Sequence, residues 1–162
     1  MWYKFLICLT WVSVLSTTSF AQQSGRQPSV QFPQVTQLVG KQLPEIKILN
    51  SGGKPLSTSD LHGQHTVLVF GCLTWPPFLR NVSSLETVAV DYRSKGVAFY
   101  YIYKALAHPE HNGYVQPFTL QERLMHVAEA KRTLGSSIEW ICDNMQNEFK
   151  QALGGAPNSQ FV

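Results

Sequence analysis

Two stretches of the chain are apolar without alternation: Thr66-Val67-Leu68-Val69-Phe70 and Val97-Ala98-Phe99-Tyr100-Tyr101-Ile102-Tyr103. Runs of β-branched and aromatic residues with no polar interruption suit strands buried on both faces, hence central parallel strands. Ile138-Glu139-Trp140-Ile141-Cys142 reads as a third strand. Between them the period changes to that of a helix. Over residues 76–93, Phe78, Val82, Leu85 and Val88 or Ala89 recur on one face, Pro76-Pro77 suits the first turn, and Lys95-Gly96 closes the segment. Residues 120–134 predict a second helix with Leu124, Val127, Ala128 and Leu134 inward. Shorter elements frame these: a strand over 45–49, a turn over 51–55, and a helical turn over 57–61 capped by Ser57 or Thr58. A short helix over 147–153 ends at Gly154-Gly155, and a strand begins at Gln160. Strands alternating with helices predict an α/β fold, a central mostly parallel sheet flanked by helices with right-handed crossovers. Active residues in such sheets lie beyond the carboxyl ends of the strands. Residues 71–78 and the polar loop holding His108 and His111 fall at that edge.

The N-terminus follows different rules. Lys4 precedes a mostly apolar stretch over 5–20, diluted by Thr10, Ser13, Ser16, Thr17 and Thr18, and Ser19-Phe20-Ala21 forms a small-x-small cleavage site. Residues 1–21 therefore read as a secretory signal peptide, with a retained signal anchor as the alternative. Residues 22–38, rich in Gln, Ser and Pro, read as an exposed linker, and the domain is expected over 39–162. Cleavage removes Cys8 and leaves Cys72 and Cys142 in an exported chain, periplasmic or secreted, with no membrane span. The 162 residues suit one domain with a real core. Hydrophobic residues at 44% and charged residues at 14% exclude a disordered chain, and a scattered net charge of +3 argues against a nucleic-acid partner. Three cysteines do not make a disulfide scaffold.

Residues 39–78 resemble the redoxin branch of the thioredoxin-like superfamily. The resemblance rests on Gly40-Lys41-Gln42-Leu43-Pro44, on the Leu-Ser-rich stretch from Gly53 to Gly63, and on the strand that feeds the redox motif. Phe70-Gly71-Cys72-Leu73-Thr74-Trp75-Pro76-Pro77-Phe78 is more narrowly similar to the motif of the iodothyronine deiodinases, Phe-Gly-x-x-Thr-(selenocysteine or Cys)-Pro-Pro-Phe. Tyr101-Ile102, Ala107-His108-Pro109 and Gly113-Tyr114 follow the family's next motif. Asp143-Asn144-Met145-Gln146-Asn147 and Pro157-Asn158-Ser159-Gln160-Phe161-Val162 follow its third. The resemblance implies a thioredoxin-like fold and an oxidoreductase acting on a thiol or disulfide, a peroxide or a halogenated aromatic ring, with an external reductant and no cofactor. It implies Thr74, Pro76, Pro77, Phe78 and Pro157 as substrate-binding residues and His108 as proton donor or hydrogen-bond partner of the reacting atom. It also implies further elements after residue 162, so the domain is expected to be incomplete at its C-terminus, and it implies a cis Ala156–Pro157 bond.

Trp75 stands where the family has its reacting sulfur or selenium, and Leu106 replaces the family's Glu. Indole is not a nucleophile, so Trp75 is expected to pack over the helix start. Selenocysteine is encoded by UGA, which some codes write as Trp; the gene's codon for residue 75 decides that third reading. Cys72, three residues earlier, is either the remaining reactive thiol or a small buried hydrophobe. Cys142 reads as core. A Cys72–Cys142 disulfide is not expected, because an intervening strand separates them by about 9–10 Å against the roughly 7 Å that a disulfide spans. His108 and His111 have His-x-x-His spacing, but Glu110 is disfavoured as a third ligand by its direction, and no metal is expected. His62, His65 and His126 read as surface residues. Asn81-Val82-Ser83 fits a glycosylation acceptor yet lies within the predicted helix. Two functions remain: a redoxin-type oxidoreductase using Cys72 and His108, or a catalytically inactive binding protein with a cleft at Trp75, Tyr103 and Tyr114.

Overall fold

The computed structural model describes residues 38–154 and 158–162. The signal peptide, nearly all of the linker, and Pro157 with its preceding peptide bond lie outside these residues.

Six strands form one sheet: β1 (Lys47–Asn50), β2 (Pro55–Ser57), β3 (His65–Gly71), β4 (Val97–Tyr103), β5 (Glu139–Cys142) and β6 (Gln160–Phe161), in the order β2-β1-β5-β4-β3-β6. The pairs β3/β4 and β4/β5 are parallel; β1/β2, β1/β5 and β3/β6 are antiparallel. Parallel pairing thus occupies the centre and antiparallel pairing the flanks. Helices α1 (Pro76–Arg93) and α2 (Leu120–Leu134) provide the crossovers, and α3 (Glu148–Leu153) follows β5.

The unbroken apolar runs have a direct explanation. Alternate side chains of β3 enter two different cores. Val69 joins Phe78, Val82, Leu85, Ala89, Val127 and Trp140 under α1 and α2, while Leu68 and Phe70 join Ile102, Ile141, Phe149 and Leu153 beside α3. Burial on both faces leaves no place for polar alternation.

Helix α1 spans the predicted residues, and Ala89 rather than the exposed Val88 completes its inner face. In α2, Val127 is buried and Leu124 and Leu134 pack against the core as expected, but Ala128 is exposed, and Arg123 and Ala130 complete the inner face. A capping box fixes this start: the Glu122 N–H donates to the Thr119 hydroxyl, and the Glu122 carboxylate accepts the Thr119 N–H. Strand β2 was not expected, since Pro55 opens it within a turn-like composition, but Leu56 pairs with Ile48 at the sheet edge. Residues 158–161 cover the carboxyl half of β3: Asn158 and Ser159 exchange backbone bonds with Phe70, and Gln160 and Phe161 pair with Val69 and Leu68.

Helix α3 is capped from a distance. Asn147 makes no side-chain cap; the fully buried Asp143 carboxylate instead accepts the N–H groups of Phe149 and Lys150, at 3.0 and 3.1 Å, and of Asn144 at 2.9 Å. Asp143→Ala is expected to cost about 3 kcal/mol, because it strands buried amides that lose a charged acceptor. Asp143→Asn, which keeps an oxygen for part of the set, is expected to cost less. Urea unfolding of both variants checks this ordering.

Candidate functional site

Strand β3 ends at Gly71, and the chain turns through Cys72, Leu73 and Thr74 before α1 begins at Pro76. Trp75 is the N-cap residue, extended in backbone and without a side-chain cap bond. Pro76 and Pro77 take the first helical positions, where a missing N–H costs least.

The turn is bolted to the loop after β4. Ala107 donates its N–H to Cys72 Sγ at 3.2 Å, and its carbonyl accepts the Thr74 hydroxyl. Cys72 Sγ lies 3.2 Å from Thr74 Oγ1. The Thr74 proton is committed to Ala107, so the thiol proton points to Thr74 Oγ1. Both main-chain groups of Ala107 are thereby held by the turn, which places His108 beside Trp75. The two rings stack with centroids 6.1 Å apart and an interplanar angle of 26°. His108 adopts a left-handed backbone, φ 49°, uncommon for a residue with a Cβ. Gln116 braces the loop from the other side, donating to the Leu106 carbonyl at 2.6 Å and accepting its N–H at 3.1 Å.

The residues predicted for the site separate into three groups. Trp75 and Pro77 are half-buried and Pro76 and His108 are exposed, so these four form the outer surface. Cys72 and Thr74 are buried just beneath it. Phe78 requires correction as a substrate-binding residue. It is 0% exposed, and its ring meets Tyr101 and Trp140 edge-on at 5.3 and 6.0 Å, so it builds the core that supports the turn. The cleft expected between Trp75, Tyr103 and Tyr114 is likewise corrected, because Tyr103 is fully buried. A groove of about 560 Å³ lies elsewhere, lined by Leu43, Leu61, Leu68, Leu153 and Phe161.

Cys72 and Cys142 are both free and buried, with Tyr103 of β4 paired between Gly71 and Cys142 in the sheet. Burial pushes the Cys142 thiol up to about 12, which makes it inert.

Two further buried residues, Lys104 and Arg123, escaped the sequence reading, and His126 departs from it. Lys104 is buried with its Nζ 5.0 Å from the centre of the Phe70 ring, and burial, helped by Lys150, brings its ammonium down to about 8. Arg123 enters the core and donates to the carbonyls of Asp143 and Asn144 and to Asn147 Oδ1. His126 is not a simple surface residue. It is half-buried, its Nδ1 is hydrogen-bonded to the Tyr103 hydroxyl at 2.7 Å, and the Tyr114 ring is edge-on to it. Burial holds the His126 pKa below its ordinary value. A base whose pKa is depressed by folding binds its proton more readily when unfolded. Stability is therefore expected to fall as pH drops from about 6.5 through the lowered native value. His126→Asn, which keeps an acceptor and cannot titrate, is expected to flatten that part of a melting-temperature profile between pH 5 and 7.

His62 and His65 are exposed, as expected, and Asn81 lies on α1 with its amide donating to Asn158 Oδ1. Glu110 is a correction. The short 3-10 turn Pro109–His111 brings its carboxylate within 3.6 Å of His108 Nδ1 and 3.7 Å of His111 Nε2.

No protein-family model matches the sequence, and no curated protein matches it. Solved structures do. A thioredoxin-like protein from Porphyromonas gingivalis is similar over 74% of this chain and 71% of its own, at 20% identity and TM-score 0.54. A thiol-disulfide oxidoreductase from Bacteroides fragilis is similar over 72% of this chain and 79% of its own, at 17% identity and TM-score 0.53. An uncharacterized conserved protein from Geobacillus kaustophilus is 26% identical over 78% of this chain and 60% of its own, at TM-score 0.54. The fold of this chain is thioredoxin-like.

Proposed function

We propose that this protein is an exported redoxin-type oxidoreductase resembling the iodothyronine deiodinases, with its site at the turn over residues 71–78 and Cys72 as its sulfur. The observation that carries the reading is the setting of Cys72. Its Sγ receives the Ala107 N–H and lies against the Thr74 hydroxyl, at the approach to the N-terminus of α1. The Ala107 N–H suits a sulfur that becomes an anion, and Thr74 Oγ1 is placed to receive the thiol proton. In thiol–disulfide exchange, the Cys72 thiolate attacks one sulfur of a substrate disulfide; an S–S bond forms and the other sulfur leaves as a thiolate that takes up a proton. An external thiol then attacks the mixed disulfide, restores Cys72 and departs as a new disulfide. The second thiol is external because Cys142 is inert and sits beyond β4.

A second reading is favoured by two facts: Cys72 is 0% exposed, and Trp75 holds the helix-start position. On that reading the scaffold is a binding protein without a redox step. One experiment separates them. In a Cys8→Ser, Cys142→Ser background, an aromatic disulfide releases one equivalent of coloured thiol under native conditions, at a rate that rises with pH, and Cys72→Ser abolishes it. Release only after unfolding in denaturant leaves the binding protein.

A further inference from the structure

We infer that His108, Glu110 and His111 form a binding site for a divalent first-row transition metal ion, of the class of Zn²⁺ or Cu²⁺. The three side chains each offer one donor atom, and these atoms all lie within 4.8 Å of one another. The Glu110 Oε1 stands between the two imidazoles, 3.6 Å from His108 Nδ1 and 3.7 Å from His111 Nε2. Two metal–ligand bonds of about 2.0 Å at a tetrahedral angle place their donors about 3.3 Å apart. Two edges of the triangle are thus within a few tenths of an ångström of a tetrahedral site. The third closes by side-chain rotation, chiefly of His111, whose side chain is 74% exposed, while His108 keeps its stack on Trp75.

The backbone holds the three ligands on one short turn. The His111 N–H donates to the His108 carbonyl, the Asn112 side chain donates to the same carbonyl, and Pro109 accepts the N–H groups of Asn112 and Tyr114. The imidazoles are neighbours, with centroids 5.8 Å apart and planes 11° apart, and turning one ring out of this stack brings both in-plane nitrogen lone pairs to one ion. Two ring nitrogens and one carboxylate oxygen select first-row transition metals over Mg²⁺ and Ca²⁺, which take oxygen ligands. Three protein ligands leave a fourth coordination position for water or another small ligand. The site flanks the proposed redox turn, because His108 also stacks on Trp75. It depends on neither reading of Cys72.

The test is calorimetric titration of the full chain with Zn²⁺ and, separately, Cu²⁺, with excess Mg²⁺ present. The expected result is one ion per chain. His108→Ala and His111→Ala each weaken binding by at least about tenfold, the scale on which even outer-shell changes act at metal sites. Glu110→Gln weakens it less, and His62→Ala and His65→Ala leave it unchanged. Paramagnetic resonance of the Cu²⁺ complex shows nitrogen ligation that is lost in the double variant His108→Ala, His111→Ala. Unchanged affinity in both single histidine variants overturns the proposal, as does loss of binding in the His62 or His65 variants. All the substituted side chains are exposed, and circular dichroism verifies that each variant is folded.

Discussion

Gly71→Ala is expected to destabilise the protein by about 3 kcal/mol or more, at or above the upper end of what overpacking a core costs. Gly71 is the last residue of β3 and pairs with Tyr103. A Cβ built there meets Trp140 Cζ3 at 2.6 Å, Trp140 Cη2 at 2.7 Å and Phe78 Cζ at 3.2 Å. The reason for glycine is space. The indole cannot withdraw, because it is fully buried and held between the rings of Tyr101 and Phe78, at 4.9 and 6.0 Å. Interiors this densely filled have no void to receive a displaced ring. Against a typical total stability of about 5–15 kcal/mol, the loss is a large share. Cys72 follows directly, so the same strain shifts the turn that carries the site. Trp140→Phe should relieve the clash, so the double variant is expected to be more stable than the sum of the two single losses. Urea unfolding of the four proteins measures this coupling. A Gly71→Ala variant within about 0.5 kcal/mol of the parent shows instead that the core yields there.

The central elements were legible because burial on both faces writes itself into composition. The runs in β3 and β4 contain no polar residue between Val67 and Phe70 or between Val97 and Tyr103, and both form strands with flanks on two cores. The start of α1 was legible from Pro76-Pro77. Strand β2 was not, since three residues beginning with proline carry no period. The inward place of Arg123 on α2 was missed for a chemical reason. Arg123 sits on the inner face, and an arginine there makes sense only with its partners, carbonyls about 20 residues further along the chain. His126 likewise reads as a surface histidine until Tyr103, 23 residues away, reaches it. At the site, resemblance marked residues 70–78 but did not distinguish inward from outward side chains. Phe78 therefore passed as a contact residue, and the bond from Ala107 to Cys72 stayed hidden in a separation of 35 residues. Glu110 is disfavoured from the sequence by its direction on a loop, and spacing alone does not fix that direction. The turn that gathers it with His108 and His111 depends on the left-handed backbone at His108.

Trp75→Cys is expected to place an activated thiol at the head of α1. Residue 75 is the N-cap, whose side chain accepts from the amides of the second or third helical residue. Pro76 and Pro77 have no N–H, so Phe78 supplies the amide, and the positive end of the helix dipole adds to it. Both favour the thiolate over the thiol, which lowers the thiol pKa from its free value of about 8.5. A fall to about 7 raises the thiolate fraction at neutral pH roughly 15-fold, and the lower intrinsic nucleophilicity returns most of that gain, leaving a rate about threefold higher. The titration midpoint is therefore a cleaner signature than the rate. The stability cost is expected to be about 1–2 kcal/mol, below that of removing a buried tryptophan, because Trp75 is only half-buried. The decisive measurement is the alkylation rate of this thiol against pH, in a Cys8→Ser, Cys72→Ser, Cys142→Ser background that leaves residue 75 as the single sulfur nucleophile. A midpoint clearly below 8.5 is the result expected if the head of α1 is built to hold a reacting sulfur. A midpoint at or above 8.5 contradicts that placement, and with it the reading of residues 71–78 as a redox site.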